Sequence, residues 1–299
     1  MKRLPTYEDL RRPLPPWHPK AWYFGAQSLM LRTVGRTAGG IDLGYRHGFN
    51  SGVMLDYVYE NRARGRWGIG ALIDRGFLNA VGWRGIRLRK EHLKQVLRGV
   101  IEERRARGQA THIVDLAAGG GRYLLEVLSE VGPGGVTALL RDLRREGLDE
   151  GRRRAEALDL RNVHFEPGNA FDPQELAALS PRPDIVVTSG LYEIIPDDAL
   201  IRPHFGRVRR ILAPDGTFIF TAQPYHPQLE MIARVLPGLD GGPWVMRLRS
   251  LELLERWARE GGFTRWDAVG DPWGIFYVVT VCGGAAAPVA PDLRPGPVR

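Results

Sequence analysis

The stretch Thr111–Tyr123, THIVDLAAGGGRY, limits what this chain can fold into more than any other. A short apolar run stops at an acid and turns through three consecutive glycines, and a helical pattern, Leu124–Val131, follows at once. Gly119, Gly120 and Gly121 have no Cβ, so the chain can turn tightly there and a ligand can approach the amides. The helix behind them starts with N–H groups that have no partner within the helix. Such a turn is suited to letting a ligand touch backbone.

Spacing separates the candidate ligands. The dinucleotide fingerprint needs a small third residue in G-x-G-x-x-G/A, and Gly119-Gly120-Gly121-Arg122-Tyr123-Leu124 puts leucine there. No G-x-x-x-x-G-K-[ST] occurs, which removes the P-loop. The stretch does fit D-x-A-x-G-x-G through Asp115, Ala117, Gly119 and Gly121. It resembles the first motif of the class I S-adenosylmethionine-dependent methyltransferases; a tight strand–helix turn without a ligand is the plainer alternative.

From Thr111 onward the pattern alternates strand and helix, which implies parallel β-α-β units. Strands are expected at His112–Leu116, Val136–Leu140, Val163–Glu166, Asp184–Thr188 and Thr217–Thr221. A helix, Ser250–Glu260, leads to two late strands, Arg265–Val269 and Ile275–Cys282. The expected fold is therefore α/β: a Rossmann-like, seven-stranded methyltransferase sheet with helices on both faces, preceded by a helical cap. At 299 residues the chain is long enough for one large domain with additions. The domain is expected over 109–283, the arm and helical lid over 1–108, and a Gly/Ala/Pro-rich disordered tail over 284–299.

Within 1–108, the proline-rich residues 1–19 should form an extended arm. Trp22, Ala26, Leu29 and Met30 fall on one face of the next helix. That face either packs on its own domain, the preferred reading, or lies on anionic lipid. Asn50 or Ser51 can cap a helix carrying Met54, Leu55 and Val58, with Asp56, Tyr57, Tyr59 and Glu60 as a polar-aromatic patch. The region is expected to be either a scaffold or a lid that carries substrate contacts through Asp56, Tyr57 and Tyr59. A second helix should end near Gly82, and Leu93, Val96, Leu97, Val100 and Ile101 define a third.

Composition narrows the function classes. There are 42 Lys and Arg against 34 Asp and Glu, a net charge of +8. That balance suits nucleic acid, anionic membrane or acidic substrates, although solubility or a GC-rich genome accounts for it equally well. The single cysteine, Cys282, excludes a disulfide framework and a cysteine-based metal cluster, and no metal is expected. No apolar run approaches the ~18 residues of a membrane span, and no signal peptide is evident, so a cytoplasmic protein is expected, in peripheral contact with membrane at most.

In an open α/β sheet the ligand lies across the carboxyl ends of the strands. Asp142 follows the second strand, where an acid accepts hydrogen bonds from ribose hydroxyls, and Leu143 is beside it. After the third strand come Asn169 and Ala170. The methyltransferase pattern usually has an acid at Asn169 to accept from the adenine amino group, and an asparagine can also accept. Ser189, Gly190 and Leu191 follow the fourth strand and would border the methionine part of the cofactor. Tyr192 and Glu193 are the nearest candidates for proton transfer. After the fifth strand, Gln223, Tyr225 and His226 lie in a turn fixed by two prolines, and His226 has the intrinsic pKa of a general base. Arg247 and Arg249 can hold a carboxylate or phosphate.

The blocks FNSGVMLDYVYEN, IDRGFLNAVGWRGIRLRK, SGLYEIIPDD, QPYHPQLEMIARVL and PWVMRLRS are similar to those of one narrower family. It comprises class I methyltransferases sometimes fused to an α/β-hydrolase domain, and the similarity runs from about Gly48 to Phe263. The resemblance implies the fold, S-adenosylmethionine as cofactor with S-adenosylhomocysteine as product, and the sites above, but no substrate. Fused relatives usually read aspartate at Asn50, so a lid contact to the cofactor is expected to differ. The segment SGLYE is not the D/N-P-P-Y of amino-methylating DNA enzymes, and no Pro-Cys pair is present. The expected activity is methyl transfer to a small-molecule or lipid-like acceptor. An RNA methyltransferase and a silent cofactor-binding protein are the alternatives.

Overall fold

The computed structural model describes residues 5–283; the tail expected over 284–299 lies outside the described residues. Two compact units divide the chain. The first runs to Arg87 and takes in Tyr225–Leu248; the second holds Leu88–Pro224 and the residues from Arg249 on. The boundary therefore falls earlier than residue 109, and the segment after the fifth strand joins the first unit.

The first unit contains α1 (Tyr7–Arg11), α2 (Pro19–Arg32), α3 (Gly39–His47), α4 (Gly52–Glu60) and α5 (Ile69–Leu78). A long helix, α6 (Val81–Ala106), begins here. Residues 5–19 are not the extended arm expected: Thr6 and Asp9 form a reciprocal capping box that starts α1, and Leu10 is buried. Ser51 caps α4 by accepting from the Met54 amide at 3.2 Å. The second expected helix ends at Leu78 rather than Gly82, and Gly82 lies inside α6. Edge-to-face rings, Tyr45–Phe49, Phe49–Phe77 and Phe77–Trp83, run through this unit.

The second unit carries one seven-stranded sheet. Its parallel strands are β1 (Thr111–Leu116), β2 (Val136–Asp142), β3 (Val163–Pro167), β4 (Ile185–Thr188) and β5 (Thr217–Ala222). Their connecting helices are α7 (Arg122–Val131), α8 (Arg145–Ala157), α9 (Pro173–Ala177) and α10 (Asp198–Ile211). The chain then passes through α11 (Leu229–Val235) of the first unit and α12 (Leu251–Glu260) to β6 (Arg265–Gly270) and β7 (Tyr277–Cys282). The strand order is 3-2-1-4-5-7-6, with β7 antiparallel to both neighbours.

Burial explains the strand sequences. β4 and β5 are buried at every position, as strands covered on both faces must be, so they read as apolar runs without alternation. The edge strands β3 and β6 carry the charged residues Glu166, Arg265 and Asp267. Alternate residues feed two cores. Val114, Leu116, Val186, Phe218 and Phe220 pack with α10 and α12. Ile113, Ala138, Leu140, Ile185 and Ile219 pack with α7 and with Leu93, Leu97 and Ile101 of α6. Each such aliphatic side chain contributes about 1.5–3 kcal/mol by burial, which fixes the second half of α6 to the sheet.

Candidate cofactor and acceptor site

The glycine turn leaves β1 with Ala117, Gly119 and Gly121 all at positive φ, 63°, 55° and 59°. Ala117 holds this backbone despite its Cβ, a local strain of the kind found at binding sites. Two glycines here do different work. A Cβ on Gly121 would lie 1.9 Å from Leu140 Cδ2, so its absence lets α7 settle onto β2. A Cβ on Gly119 would meet nothing within 4 Å, so the turn faces open space there. Gly120 is half-buried between them.

Asp115 is fully buried beneath this turn. Tyr123 Oη donates to its Oδ2, whereas Oδ1 is buried without a partner. Burial raises its carboxyl to about 8; the Tyr123 hydrogen bond opposes this, and the nearby Asp142 charge adds to it. An acid with an open oxygen beside a glycine turn fits a ligand that brings an N–H or ammonium group.

Asp142 ends β2, where its Oδ2 accepts from the Gly119 amide and its Oδ1 from the Arg144 amide, both at 2.8 Å. Its carboxylate is thus at the mouth of the glycine turn, and Leu143 beside it is 71% exposed, an apolar surface without a cover. Asn169 Oδ1 accepts from the Phe171 amide at 2.9 Å, and the Asn169 amide donates to Glu175 Oε2 at 2.8 Å. An amide oxygen has two lone pairs, so Asn169 keeps acceptor capacity after closing this turn. Ala170 is buried behind it. Arg141 pairs with Glu175 at 2.7 Å and lies against Gly168, where a Cβ would be 2.3 Å from Arg141 Nη2. Neither Arg141 nor Glu175 is suggested by spacing, because only the folded loop brings them together.

At the ends of β4 and β5 the backbone and side chains interlock. Gly190, at φ 74°, donates its amide to Thr221 Oγ1 at 2.7 Å. Ser189 is half-buried and Leu191 buried. Glu193 is buried and accepts from Arg89 Nη1 at 3.0 Å and from Thr221 Oγ1 at 3.4 Å, while its Oε2 has no partner. Burial raises the Glu193 carboxyl, with Arg89 the main opposing influence. Gln223 is buried, and its Nε2 has no partner. Arg89 was missed in the sequence because it lies in α6, 22 residues before β1. A buried arginine on a helix has no motif; only its 5% exposure sets it apart.

Several expected site residues have structural work instead. Tyr192 is buried in the α10 core, its hydroxyl 2.7 Å from His204 Nδ1, and burial raises the phenol above its ordinary value. It is therefore no proton acceptor. Arg249 is buried and donates to the carbonyls of Tyr192 and Ile195 and to Asp198, holding the loop after β4 rather than an anionic ligand. Tyr57 is buried and donates to Asp74, which also accepts from the Gly40 and Arg64 amides at 2.8 Å. His226 belongs to the first unit, where its Nδ1 accepts from the Gln228 amide at 3.1 Å. A Cβ on Gly82 would be 2.7 Å from its Nε2. Nδ1 is therefore already engaged, and the missing Cβ of Gly82 leaves room for the Nε2 side of the ring. Arg247 pairs with Glu8 at 2.9 Å. Asp56 and Tyr59 are half-buried on α4, and Tyr225 is exposed.

The α2 face also differs from its preferred reading. Trp22, Leu29 and Met30 are exposed, whereas Phe24 is buried and Gln27, Ser28 and Leu31 are half-buried on the opposite side. α11 packs against α2, and Lys20 pairs with Glu230 at 2.6 Å, so that side is the one covered. Asn50 Oδ1 accepts from the Leu239 amide at 2.7 Å and so serves inside the first unit.

Five parallel strands, with an antiparallel seventh inserted beside the fifth and a glycine turn after the central one, are the fold of the class I S-adenosylmethionine-dependent methyltransferases. The chain belongs to the family described as "Putative methyltransferase", whose model matches residues 2–282. It is 42% identical over 250 residues to the uncharacterized protein YnbC of Escherichia coli, covering 83% of this chain and 43% of that one. The chain thus spans less than half the length of that curated relative. Among solved structures, a possible exported protein from Bordetella parapertussis is similar over 82% of this chain and 87% of its own (TM-score 0.61, 18% identity). The magnesium protoporphyrin IX methyltransferase of Synechocystis, with bound SAH, is similar over 80% and 98% (TM-score 0.51, 13% identity). At these identities the structural likeness shows the fold.

Proposed function

We propose that the protein transfers a methyl group from S-adenosylmethionine to a small-molecule or lipid-like acceptor. The observation that carries the cofactor assignment is Asp115, a buried acid with one open oxygen under a glycine turn that faces open space. Its open oxygen would receive the cofactor's ammonium. Asp142 would accept from the ribose hydroxyls, and Leu143 would cover the adenine, with Asn169 and Ala170 at its polar edge. The backbone of Ser189–Leu191 would border the methionine chain. Bound S-adenosylmethionine supplies an electrophilic methyl group on a positively charged sulfur. The protein's part is alignment and exclusion of water.

Calorimetry with S-adenosylmethionine tests the assignment. Wild type is expected to bind, and Asp142→Ala to bind about 10–100-fold more weakly, the loss of one or two charge-assisted hydrogen bonds. Undiminished binding by that variant refutes the ribose contact. Transfer of labelled methyl into fractionated lipid, small-molecule and RNA extracts then tests the acceptor class. Label confined to RNA overturns the small-molecule reading, and label in no fraction overturns turnover.

A further inference from the structure

Two buried polar atoms of the second unit, Glu193 Oε2 and Gln223 Nε2, have no partner, and the cofactor contacts above use neither. Both belong to the neighbourhood of Arg89. A Cβ on Gly190 would be 3.7 Å from Arg89 Nη2, and the Arg89 guanidinium lies 5.0 Å from the centre of the Phe276 ring. Ala222 pairs with Tyr277, so the next residues along the two strands are Gln223 and Phe276. Asp271 fixes that corner by accepting from the Trp273, Ile275 and Phe276 amides. One acceptor atom and one donor atom are thus buried without a partner at the carboxyl ends of β4 and β5.

We infer that Glu193 takes a proton from the methyl acceptor, that Arg89 positions it, and that the acceptor atom is an O–H or N–H rather than a carboxylate. The inference rests on the methyltransferase reading above. A pair built only for stability would engage both carboxylate oxygens, because removing a carboxylate from water costs several kcal/mol unless its lone pairs are satisfied. Here Arg89 meets Oε1 alone, by one nitrogen. A ligand that donates to Oε2 completes the acid, and an oxygen next to the acceptor atom would complete Gln223. An ionised acceptor would instead meet a like charge in a buried site.

The transfer balances on these atoms. The acceptor's O–H or N–H bond breaks, its proton joins Glu193 Oε2, and the freed pair forms the bond to the methyl carbon. The carbon–sulfur pair stays on sulfur, leaving S-adenosylhomocysteine and the methylated acceptor. The charged groups facing Glu193 are Arg89 from α6 and Arg249 from the segment before α12, with the Thr221 hydroxyl from β5. Burial outweighs them and raises the carboxyl, so a proton taken from the acceptor is held more firmly than by an ordinary carboxylate.

Four measurements test the inference. Glu193→Gln and Arg89→Met should both bind S-adenosylmethionine within about threefold of wild type, while Glu193→Gln loses about 10²–10⁴-fold in transfer. Arg89→Met should move the acid limb of the rate profile to higher pH, because the charge that favours ionised Glu193 is gone, and Arg89→Lys should restore it in part. Without any acceptor, the same pair is readable in stability. The raised Glu193 contributes stability that is complete below its unfolded pKa and lost as pH rises through the folded one. Arg89→Met should deepen that loss and Glu193→Gln should remove it. Label in the product should survive alkali, as ethers and N-methyl groups do. Base-released methanol, the mark of a methyl ester, would overturn the inference, as would wild-type transfer by Glu193→Gln or melting profiles indifferent to Arg89. Absence of cofactor binding by wild type would instead refute the underlying methyltransferase assignment.

Discussion

Asp115 carries its proton in the folded protein to about pH 8, because burial leaves its charge without water and Tyr123 satisfies only one oxygen. The unfolded chain releases that proton near pH 4, so the folded state is favoured while the proton is on. Stability from this group is complete at acid pH and declines as pH rises from about 4 to about 8. Asp115→Asn, which removes the titration, should therefore flatten the fall in Tm between pH 5 and 8. A cofactor ammonium at Oδ1 would favour the ionised acid, so binding at pH 7 should release protons. Calorimetry in two buffers of different ionisation enthalpy reads this directly, and Asp115→Asn should show no release. Arg249 offers the contrasting case of a charge already engaged. It donates to the Tyr192 and Ile195 carbonyls and to Asp198, so Arg249→Met leaves buried acceptors unpaired. The expected cost is about 2–4 kcal/mol in urea denaturation.

At the scale of elements, α2 separates pattern from packing. Its apolar stripe at Trp22, Ala26, Leu29 and Met30 has helical spacing, yet the buried side chain is Phe24. Serine at Trp22, Leu29 or Met30 should change stability by no more than about 0.5 kcal/mol, whereas Phe24→Ala should cost about 3 kcal/mol. A larger loss at Leu29 than at Phe24 in thermal melts would reverse this assignment. Periodicity tells that a helix has two faces; which face is covered depends on α11, more than 190 residues later. The sheet was legible for the opposite reason. β1, β4 and β5 are buried almost throughout, so their apolar runs follow from local chemistry alone. Asp142 and Ser189–Leu191 do stand at strand ends, as their spacing from the apolar runs implied. Arg89 was not legible, because α6 meets the sheet only through tertiary packing of Leu93, Leu97 and Ile101. Arg249 misled for the same reason: an arginine in a polar turn looks available until its partners are known.

Over the whole molecule, charge is divided unevenly. The described residues of the first unit hold 14 Lys and Arg against eight Asp and Glu, and those of the second hold 24 against 25. The first unit also exposes Trp17, Trp22, Leu29, Met30, Trp67, Ile69 and Leu72. Among the described residues no helix is long and apolar enough to cross a membrane. We propose that this basic unit with its exposed tryptophans contacts an anionic lipid surface, where rings would enter the headgroup layer and cations would meet phosphates. Cosedimentation with phosphatidylcholine vesicles should be weak, and adding about one-third phosphatidylserine should raise it. The gain should fall at 1 M salt, where screening reaches about 3 Å. Trp22→Ser together with Leu29→Ser should reduce binding while leaving Tm in place, which separates lipid contact from loss of fold. Equal sedimentation with neutral and anionic vesicles would remove the electrostatic part, and equal binding by the double variant would remove the part played by α2.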